Sequence, residues 1–523
     1  MADKFYLTTA IDYVNGAPHI GHAYEKIMAD VIIRQKRQIL DDVYFLTGTD
    51  EHGIKIQKTS AKNNMTPQEF CDMNFSKFEA EWKLLEIDYD QIIRTSNPKH
   101  KKIVQKIFQK LYDKGDIYKH SYTGLYCSGC ESFLNQRDLT EDGLCPDHLV
   151  KPEEVKEENY FFRLSKYKER IAEHIKTHPN FIQPAYRANE ILNQLENIED
   201  ISVSRSKSSV SWGIDVLNDD SQIIYVWVDA LSNYITALGF DFDNPDELYK
   251  KYWPANVHLI GKDIIKFHSI YWIGILMALG LPLPETIFGH GWITIDETKM
   301  SKSLGNVIAP RDILKEYNLE HPDAFRYFMM SAAPYGKDGN YSDKDFKEKV
   351  NADLANNIGN LLNRSLNMLV KYFDGEIKEE FKTPETCEIA KSAEATKQKV
   401  LSHFEKYEIA EAIGEIVDFS NSVNKYVTEN APWTLAKENK MSECAQVLYN
   451  ILEAMRYISV MLYPMCPNIS KDIMTQLSMP LNFKYDTLEW GKLNIGKITE
   501  KEKIKPVFLR IDSEFATDKK KEN

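Results

Sequence analysis

The sequence predicts a doubly wound α/β fold that is interrupted by an inserted segment and followed by a helical bundle. Strand-like apolar runs alternate with helical patterns on both sides of the insertion, as in βαβ units with a parallel sheet. From about 116 to 200, Tyr, Cys and Gly replace the helical spacing of apolar residues, which indicates the insertion. From about 351 to 510 the apolar residues recur at helical spacing, which predicts the bundle.

Composition bounds the class of protein. The chain has 523 residues, 43% of them hydrophobic, enough for about three domains with their own cores. The first residues lack the basic and apolar regions of a signal peptide, and the longest apolar stretch, 270–284, is too short to cross a bilayer. Most cysteines lie singly, which indicates a reducing compartment. We therefore expect a cytoplasmic protein without membrane contact, and the net charge of −13 confines any nucleic-acid site to a local basic surface.

The first half of the sheet begins with a strand predicted at 5–10, followed by a turn and a helix at 23–38. The motif His19, Ile20, Gly21, His22 lies at the start of this helix, where backbone N–H groups and the helix dipole favour phosphate. A glycine there lets a ligand approach the backbone closely. A second strand ending in the loop 47–53 and amphipathic helices at 71–85 and 103–114 complete this half.

The insertion carries four potential zinc ligands in two close pairs. Two residues separate Cys127 from Cys130 and Cys145 from His148, and fourteen residues lie between the pairs. This spacing is typical of a tetrahedral structural zinc knuckle, although chance cysteine turns are the alternative. Because four protein ligands leave no position for water, we expect one Zn²⁺ per chain that stabilises the fold and does no chemistry.

Strand patterns resume at 223–228 and 258–263, which predicts the second half of the sheet. A second motif, Lys-Met-Ser-Lys-Ser at 299–303, follows the strand-like residues 291–295. Its small residues and two lysines indicate a mobile loop that presents positive charge to phosphate. Alone, such a cluster is usually only a solvated loop.

Together, the two motifs resemble the signature pair of the class I aminoacyl-tRNA synthetases. Within that class the chain resembles the methionyl-tRNA synthetases up to about residue 510, through segments 9–22, 49–53, 225–230, 261–268 and 431–433. Asp12 departs from the family pattern, since many relatives have proline or tyrosine there. The single knuckle is similar to that of one bacterial subgroup, and the chain ends without the C-terminal module of many members, so a monomer is expected.

The resemblance implies a role for each stretch of the chain. It implies a Rossmann-type catalytic domain in two halves, a connective insertion with the zinc knuckle, the mobile loop with a stem-contact region and a helical anticodon-binding domain, while the charged composition of the tail predicts disorder. The two catalytic halves are 1–115 and 201–290, and the insertion is 116–200. The mobile loop with the stem-contact region is 291–350, the anticodon-binding domain is 351–510 and the tail is 511–523.

The implied reaction is the activation of L-methionine with ATP to methionyl-adenylate and pyrophosphate, followed by transfer of methionine to the 3′ end of tRNA(Met). Negative charge builds on the phosphoryl oxygens, so fixed donors lower the barrier, and Mg²⁺ bound with ATP shares that charge. The residues expected to be catalytic, all of them at ATP, are His19, His22, Lys299 and Lys302. Gly21, Gly261 and Asp263 are also expected to bind ATP. Asp263 would meet the ribose hydroxyls, and a helix N-cap is its alternative role.

By resemblance, the methionine pocket is lined by aromatic and aliphatic side chains that suit a flexible thioether. They are Ala10, Ile11, Tyr13, Trp227, Ala230, Tyr234, Ile264 and His268. Tyr13 and His268 can direct a hydrogen-bond donor at sulfur. Asp50 resembles the acid that meets the substrate ammonium group, and Arg205 resembles its partner. From the pattern alone, Trp227 would be assigned to the core of a strand.

The bundle offers separate evidence for RNA. An apolar helix face is predicted at Leu354, Ile358, Leu361, Leu362, Leu366 and Leu369. Asn356, Asn360 and Arg364 recur on another face, although asparagine is a mediocre helix former. Such groups can read the base edges of an unstacked loop, and an exposed Trp433 can stack on a base, whereas a merely polar face is the alternative. The resemblance assigns all four residues to the anticodon CAU.

Two other functions share some of these features. A synthetase for leucine, isoleucine, valine or cysteine has both motifs, but the first three usually carry a large editing insertion and the cysteine enzyme uses an active-site zinc. A catalytically silent tRNA-binding relative is disfavoured by the intact histidines and lysines of the two motifs. Methionine-dependent pyrophosphate exchange, compared across amino acids, separates the three possibilities.

Overall fold

The computed structural model describes residues 4–127, 132–134, 136, 139–146, 149–298 and 307–511. After Ile511, the tail predicted to be disordered lies outside the described residues. The strands are β1 (Lys4–Thr9), β2 (Asp12–Tyr13), β3 (Asp42–Asp50), β4 (Gln91–Arg94), β5 (Ile117–Cys127), β6 (Ser132–Leu134), β7 (Glu153–Phe162), β8 (Ile182–Gln183), β9 (Ile201–Ser202), β10 (Ser204–Ser206), β11 (Asp215–Val216), β12 (Asp219–Ile224), β13 (Val257–Gly261), β14 (Thr286–His290), β15 (Ile293–Ile295), β16 (Gly339–Tyr341), β17 (Glu376–Ile377) and β18 (Gly496–Lys497).

The α-helices are α1 (Ile20–Ile39), α2 (Ile54–Lys62), α3 (Pro67–Leu84), α4 (Pro98–Asp113), α5 (Lys168–Thr177), α6 (Tyr186–Leu195), α7 (Val226–Thr236), α8 (Glu247–Tyr252), α9 (Ile273–Leu279), α10 (Pro310–Glu316), α11 (Asp323–Ser331), α12 (Asp343–Val350), α13 (Asn360–Phe373), α14 (Glu388–Glu405), α15 (Ile409–Asn430), α16 (Pro432–Lys437), α17 (Met441–Leu462) and α18 (Pro467–Gln476). Short 3₁₀ segments lie at Leu164–Tyr167, Lys262–Ile264, Glu379–Phe381, Tyr485–Thr487 and Lys501–Lys503, and π-helical segments at Phe267–Trp272 and Asn351–Gly359. No helix of the described segments is long and apolar enough to cross a membrane.

The chain forms two compact units that each draw on separated stretches of sequence. The first comprises Met1–Pro18, Tyr44–Lys83 and Asp88–His290. The second comprises His19–Val43, Leu84–Ile87 and Gly291–Asn523.

A seven-stranded sheet lies at the centre of the first unit. Its order is β2–β3–β1–β13–β14–β8, with β4 also paired to β3. β1 with β13, β13 with β14, β14 with β8, and β3 with both β2 and β4 all pair in parallel. The carboxyl ends of β1, β3 and β13 therefore meet at one edge of the sheet, the usual place for a ligand in such folds. The predicted α/β fold with a parallel sheet is confirmed.

The strand predicted at 223–228 is wrong in its second part. β12 ends at Ile224, and α7 begins at Val226, so Trp227 lies on the first turn of a helix. β12 pairs antiparallel with β10 and β11 in a separate three-stranded sheet and not in the parallel one. A short apolar run cannot distinguish a strand from a buried helix, and every residue of α7 from 228 to 235 is buried.

The insertion contains an antiparallel sheet of order β6–β5–β7–β9. β5 and β7 form a long ladder that runs from the pair Ile117 and Phe162 to the pair Tyr126 and Glu153. β6 pairs with the end of β5, next to Cys127. Cys127, the first residue of the zinc motif, therefore lies at the tip of this sheet.

In the second unit, a buried ionic group joins helices that are far apart in sequence. Arg326 of α11 donates to Asp30 of α1 (2.5 Å), to Leu85 O (3.0 Å), and to the carbonyl oxygens of Pro464 (2.9 Å) and Met465 (3.1 Å). The side chains of Arg326 and Asp30 are fully buried. We call these five residues the Arg326 cluster. Because a buried guanidinium needs acceptors for its N–H groups, the cluster fixes α11 against α1 and against the turn before α18.

The bundle is built on an apolar helix face that the sequence predicted. Leu354, Ile358, Leu361, Leu362, Leu366 and Leu369 are all buried. The helix that carries them begins as a π-helical segment and continues as α13. α17 is buried along nearly its whole length, as expected for the central helix of a bundle.

Candidate functional site

The first motif lies where α1 begins, and its two imidazoles cap the helix. His19 is the N-cap residue, and its Nδ1 accepts a hydrogen bond from Gly21 N–H (3.1 Å), while His22 Nδ1 accepts from His19 N–H (3.2 Å). The ring centroids are 3.9 Å apart. Because each Nδ1 is an acceptor, each neutral ring carries its proton on Nε2, which makes Nε2–H a hydrogen-bond donor.

Two of the backbone N–H groups at this helix start, which were expected to favour phosphate, have partners within the protein. Gly21 N–H donates to His19, and Ile20 N–H donates to Ile308 O (3.0 Å). Both amides are therefore occupied. At these positions the helix start offers imidazole donors in their place.

The second motif, with Lys299 and Lys302, lies outside the described residues. The chain reverses just before it, because Asp296 and Glu297 both have positive φ, 46° and 63°, and Ile295 pairs with Thr298 in an antiparallel bridge. Two consecutive residues with positive φ are typical of a tight hairpin turn. β15, which precedes the turn, pairs in parallel with β16.

Gly261, expected at ATP, ends β13, and Asp263, expected at the ribose, lies two residues later. Asp263 is exposed and lies within the 3₁₀ segment Lys262–Ile264, whose N-cap is Gly261, so the alternative that Asp263 caps a helix is wrong. A Cβ on Gly261 would lie 2.7 Å from Asp263 Oδ1. Glycine is therefore needed for the carboxylate to lie against the end of the strand.

The residues expected around methionine lie on three elements of the first unit. One group follows β1, a second lies on α7 at positions one turn apart, and a third lies in the helical turns after β13. Ala10, Ile11, Trp227 and Ile264 are partly buried against the same hydrophobic cluster, to which Tyr234 belongs. Ala230 is 7% exposed and Tyr13 is half-buried.

His268 is held by two hydrogen bonds. Its Nδ1 lies 3.0 Å from Ile264 O, and its Nε2 lies 2.6 Å from the hydroxyl of Tyr234. Because a carbonyl oxygen only accepts, Nδ1 carries the proton and Tyr234 donates to Nε2. In this arrangement the N–H group of His268 bonds within the protein, and its donation to sulfur stays a prediction, as does donation from Tyr13.

Phe267 is a neighbour of this pocket that the sequence reasoning missed. Its ring stacks on Trp227, with centroids 3.9 Å apart and planes within 5°. Trp227 also meets His268 edge to face, at 6.3 Å. Phe267 and His268 are consecutive and belong to the π-helical segment, a rare conformation that is frequent at functional sites. An aromatic residue directly before His268 was the available signal.

Asp50 ends β3 and is followed by two buried residues, Glu51 and His52, that have charged partners. Glu51 accepts from Arg94 through Nε (2.6 Å) and Nη2 (3.0 Å). His52 Nδ1 lies 2.6 Å from Asp229 Oδ2, whose other oxygen lies 2.7 Å from Nε2 of His100. Burial acts to raise the pKa of Asp229, but the two imidazoles outweigh it and hold this pKa at about 2. The loop after Asp50 is thus fixed by ionised groups that sequence spacing does not connect.

Arg205, expected as the partner of Asp50, is buried in the first unit. It donates through Nη1 to Ser204 O (2.7 Å) and Ser202 Oγ (2.9 Å), and its guanidinium lies 4.2 Å from the centroid of Tyr225. Arg205 and Tyr225 line a cleft together with His52. The pairing of Arg205 with Asp50 stays a prediction.

Two of the four expected zinc ligands are described. Cys127 and Cys145 are fully buried, and neither forms a disulfide. Cys130 and His148 lie outside the described residues, and within the described ones no three potential metal ligands cluster. Two buried, reduced thiols in this insertion fit a structural zinc site.

The residues expected at the anticodon lie in the second unit and face outward. Asn356 and Asn360 are exposed, and Arg364 is half-buried. Trp433 is 44% exposed on the first turn of α16, so it is not a core residue. Ala431, just before α16, has φ of 37°, a conformation that reverses the chain between α15 and Trp433.

Two family models match the chain. Residues 5–153 and 150–366 match the family described as tRNA synthetases class I (M). Residues 388–506 match the anticodon-binding domain of tRNA ligase. The first match covers the α/β part and the start of the bundle, and the second match covers most of the rest of the bundle.

Similar proteins cover almost the entire chain. A methionine–tRNA ligase of Caldanaerobacter subterraneus subsp. tengcongensis is 45% identical over 98% of this chain, which spans 80% of that protein. One from Clostridium perfringens is 46% identical over 98% of this chain and 78% of its own length. The solved structure of Mycobacterium tuberculosis methionyl-tRNA synthetase in complex with methionyl-adenylate is similar with a TM-score of 0.91 and 35% identity, over 98% of this chain and 100% of that one.

Proposed function

The chain belongs to the methionine–tRNA ligases of the class I tRNA synthetases, and from this premise we propose how its own residues carry out the reaction. The enzyme activates methionine with ATP to methionyl-adenylate and then transfers methionine to tRNA. The observation that carries the residue assignment is the capping arrangement of His19 and His22. It fixes two Nε2–H donors on adjacent rings at the start of α1.

In the first step, a carboxylate oxygen of methionine attacks the α-phosphorus of ATP and pyrophosphate leaves. Negative charge grows on the phosphoryl oxygens, so groups fixed in advance to donate there stabilise the transition state. We assign this role to Nε2–H of His19 and His22, and to the ammonium groups of Lys299 and Lys302. Mg²⁺ bound with ATP supplies further positive charge.

We place the amino acid between β1, α7 and the turns after β13. Asp50 would bind the ammonium group of methionine, held in position by the anchored residues Glu51 and His52. The stacked pair Trp227 and Phe267 offers an aromatic surface to the thioether, with which sulfur interacts favourably. Asp263 and Gly261 would bind the ribose. In the second step a hydroxyl of the terminal ribose of tRNA attacks the acyl carbon, and AMP leaves.

Amino-acid-dependent exchange between pyrophosphate and ATP tests this function. We expect exchange with methionine and little with leucine, isoleucine, valine or cysteine at equal concentration. A pocket built for a straight thioether distinguishes these side chains by their shape and length. Exchange that is faster with one of the other amino acids would identify a different synthetase, and no exchange with any of them would identify a silent tRNA-binding relative.

We propose that Cys127, Cys130, Cys145 and His148 hold one Zn²⁺, which supplies a cross-link for the insertion. Replacing Cys145 by serine is expected to reduce bound zinc well below one per chain and to loosen the insertion, because a metal site that orders a segment contributes to its folding. The measurements are elemental analysis and hydrogen exchange of the insertion. Cys387→Ser, a change at a cysteine outside both pairs, is the control. Wild-type protein purified without chelator that contains no zinc would contradict the proposal.

We further propose that the tRNA carries the anticodon CAU, which Asn356, Asn360, Arg364 and Trp433 recognise. Three observations support this role: the amide groups of Asn356 and Asn360 are exposed, the guanidinium of Arg364 is half-buried, and the indole of Trp433 on α16 is exposed. Single-stranded bases are read by such groups and stack on aromatic rings. We expect the enzyme to act in the cytoplasm as a monomer.

A further inference from the structure

A network of polar side chains cross-links the helix that carries Arg364 to α15. Asn357 precedes Arg364 on the same continuous helix, and Ser420, Asn421 and Asn424 lie on α15. Asn357 Oδ1 accepts from Ser420 Oγ (2.8 Å) and from Asn424 Nδ2 (2.6 Å), and Asn357 Nδ2 donates to Asn421 Oδ1 (2.9 Å). Arg364 Nη2 donates to Asn424 Oδ1 (2.7 Å). We call these five residues the asparagine network.

The orientation of the Asn424 amide follows from its partners. Nδ2 faces two oxygens, Asn357 Oδ1 and the carbonyl oxygen of Ser420 (3.0 Å). A flipped amide would place its oxygen against both of them and its NH₂ group against the guanidinium, which only donates. Asn424 Oδ1 must therefore face Arg364. Asn357 thus orients Asn424, and Asn424 in turn receives the guanidinium.

The contact with Asn424 holds Arg364 without neutralising it. Its acceptor is an amide oxygen and not a carboxylate, so the contact leaves the full positive charge on the guanidinium. Burial lowers the pKa of Arg364, which indicates that the group has lost part of its hydration. A charged group that is partly dehydrated and already held in one conformation loses less freedom when it binds a ligand.

Two neighbouring residues of the π-helical segment, Asn356 and Asn357, face different surroundings. Asn356 is exposed, whereas Asn357 points to α15 and joins the network. The exposed row of Asn356, Asn360 and Arg364 is therefore supported from the side of α15. The sequence pattern indicated the row of Asn356, Asn360 and Arg364, but it did not indicate the contacts with α15 that support this row.

We propose that Asn424 and Asn357 are positioning residues that hold Arg364 ready to read the anticodon. This inference rests on the proposed role of Arg364. Neither asparagine needs to touch the RNA, since both act through the guanidinium. The recognition of the anticodon thus depends on Asn424 of α15 and on Asn357, neither of which belongs to the row of Asn356, Asn360 and Arg364.

A double-mutant cycle tests the inference with full-length enzyme. The quantity measured is kcat/KM for methionylation of tRNA transcripts with the anticodon CAU and with one changed anticodon base. Asn424→Ala is expected to lower this value for the CAU transcript about 5- to 10-fold, the effect of one hydrogen bond, and to lower discrimination between the two transcripts. In an Arg364→Ala background, Asn424→Ala is expected to have no further effect, because its target is absent.

Asn367→Ala is the matched control, because Asn367 is exposed on the same helix and its amide donates to Asn363 of that helix. It should change neither value. Methionine-dependent pyrophosphate exchange needs no tRNA, so its rate shows whether the catalytic centre of each variant is folded and active. Asn357→Ala is the second variant should Asn424→Ala fold poorly, and its loss should likewise disappear without Arg364.

The outcomes separate the inference from the function on which it rests. If Arg364→Ala keeps normal discrimination at the anticodon, the proposed role of Arg364 is wrong and the inference falls with it. If Arg364→Ala loses discrimination but Asn424→Ala costs as much with Arg364 as without it, only the inference is overturned. Asn424 would then act on the RNA directly or on the stability of the bundle.

Discussion

Replacing Lys302 by alanine is expected to slow methionyl-adenylate formation about a hundredfold or more, which corresponds to roughly 3 kcal/mol of transition-state stabilisation. The ammonium group of Lys302 should meet the phosphates mainly while charge develops on the departing pyrophosphate. An interaction that is stronger in the transition state than in the ground state raises the rate and hardly changes substrate affinity. The affinity for methionine should therefore change little.

The measurement is single-turnover adenylate formation at saturating methionine and ATP, with methionine affinity determined separately. Lys344→Ala is the control, because Lys344 is an exposed lysine of α12 whose removal takes away the same charge. It should leave the rate unchanged. A variant at Lys302 with weakened methionine binding and an unchanged rate of activation would refute the assignment.

Replacing Trp433 by alanine is expected to lower kcat/KM for tRNA roughly 5- to 150-fold, because a stacking surface contributes about 1–3 kcal/mol per base. The indole is 44% exposed, so its removal should cost little stability. Pyrophosphate exchange with methionine should stay nearly intact, since that reaction needs no tRNA. The loss should be largest for transcripts with CAU, and discrimination against altered anticodons should fall.

Trp490→Ala provides the contrast, because Trp490 is a tryptophan of the same unit that is only 6% exposed and packs near Tyr457. Removing a buried indole typically costs about 3–5 kcal/mol of folding stability. That variant should lose thermal stability and act on all transcripts alike. If Trp433→Ala shows the same behaviour as Trp490→Ala, the role in recognition is wrong.

Local patterns predicted those parts of the fold that depend on local physics. The helix that became α1 has apolar residues at helical spacing, and this signal lies within one short segment. The buried face of the bundle was predictable for the same reason. The run at 223–228 was not, because six apolar residues fit a strand and a buried helix equally well.

The site residues that belong to family motifs could be predicted from the sequence. The residues that hold them in place from distant parts of the chain could not. Glu51 and Arg94 are separated by one strand crossover, and Asp229 meets two histidines from elsewhere in the sequence. Such pairings depend on the order of strands in the sheet, which no periodicity encodes. Phe267 was missed for another reason, since an aromatic residue in an apolar helix is usually a core residue.

The Arg326 cluster has a consequence for attempts to express parts of this enzyme. A fragment that ends at residue 350 would keep Arg326 and Asp30 but lose the carbonyl oxygens of Pro464 and Met465. A buried charged donor that loses part of its acceptors costs on the order of 3 kcal/mol, and the affected helix is α1, whose N-cap residue is His19. Truncation of the bundle would thus damage amino-acid activation, a reaction that involves no tRNA. An active piece of this chain is therefore expected to include Pro464 and Met465.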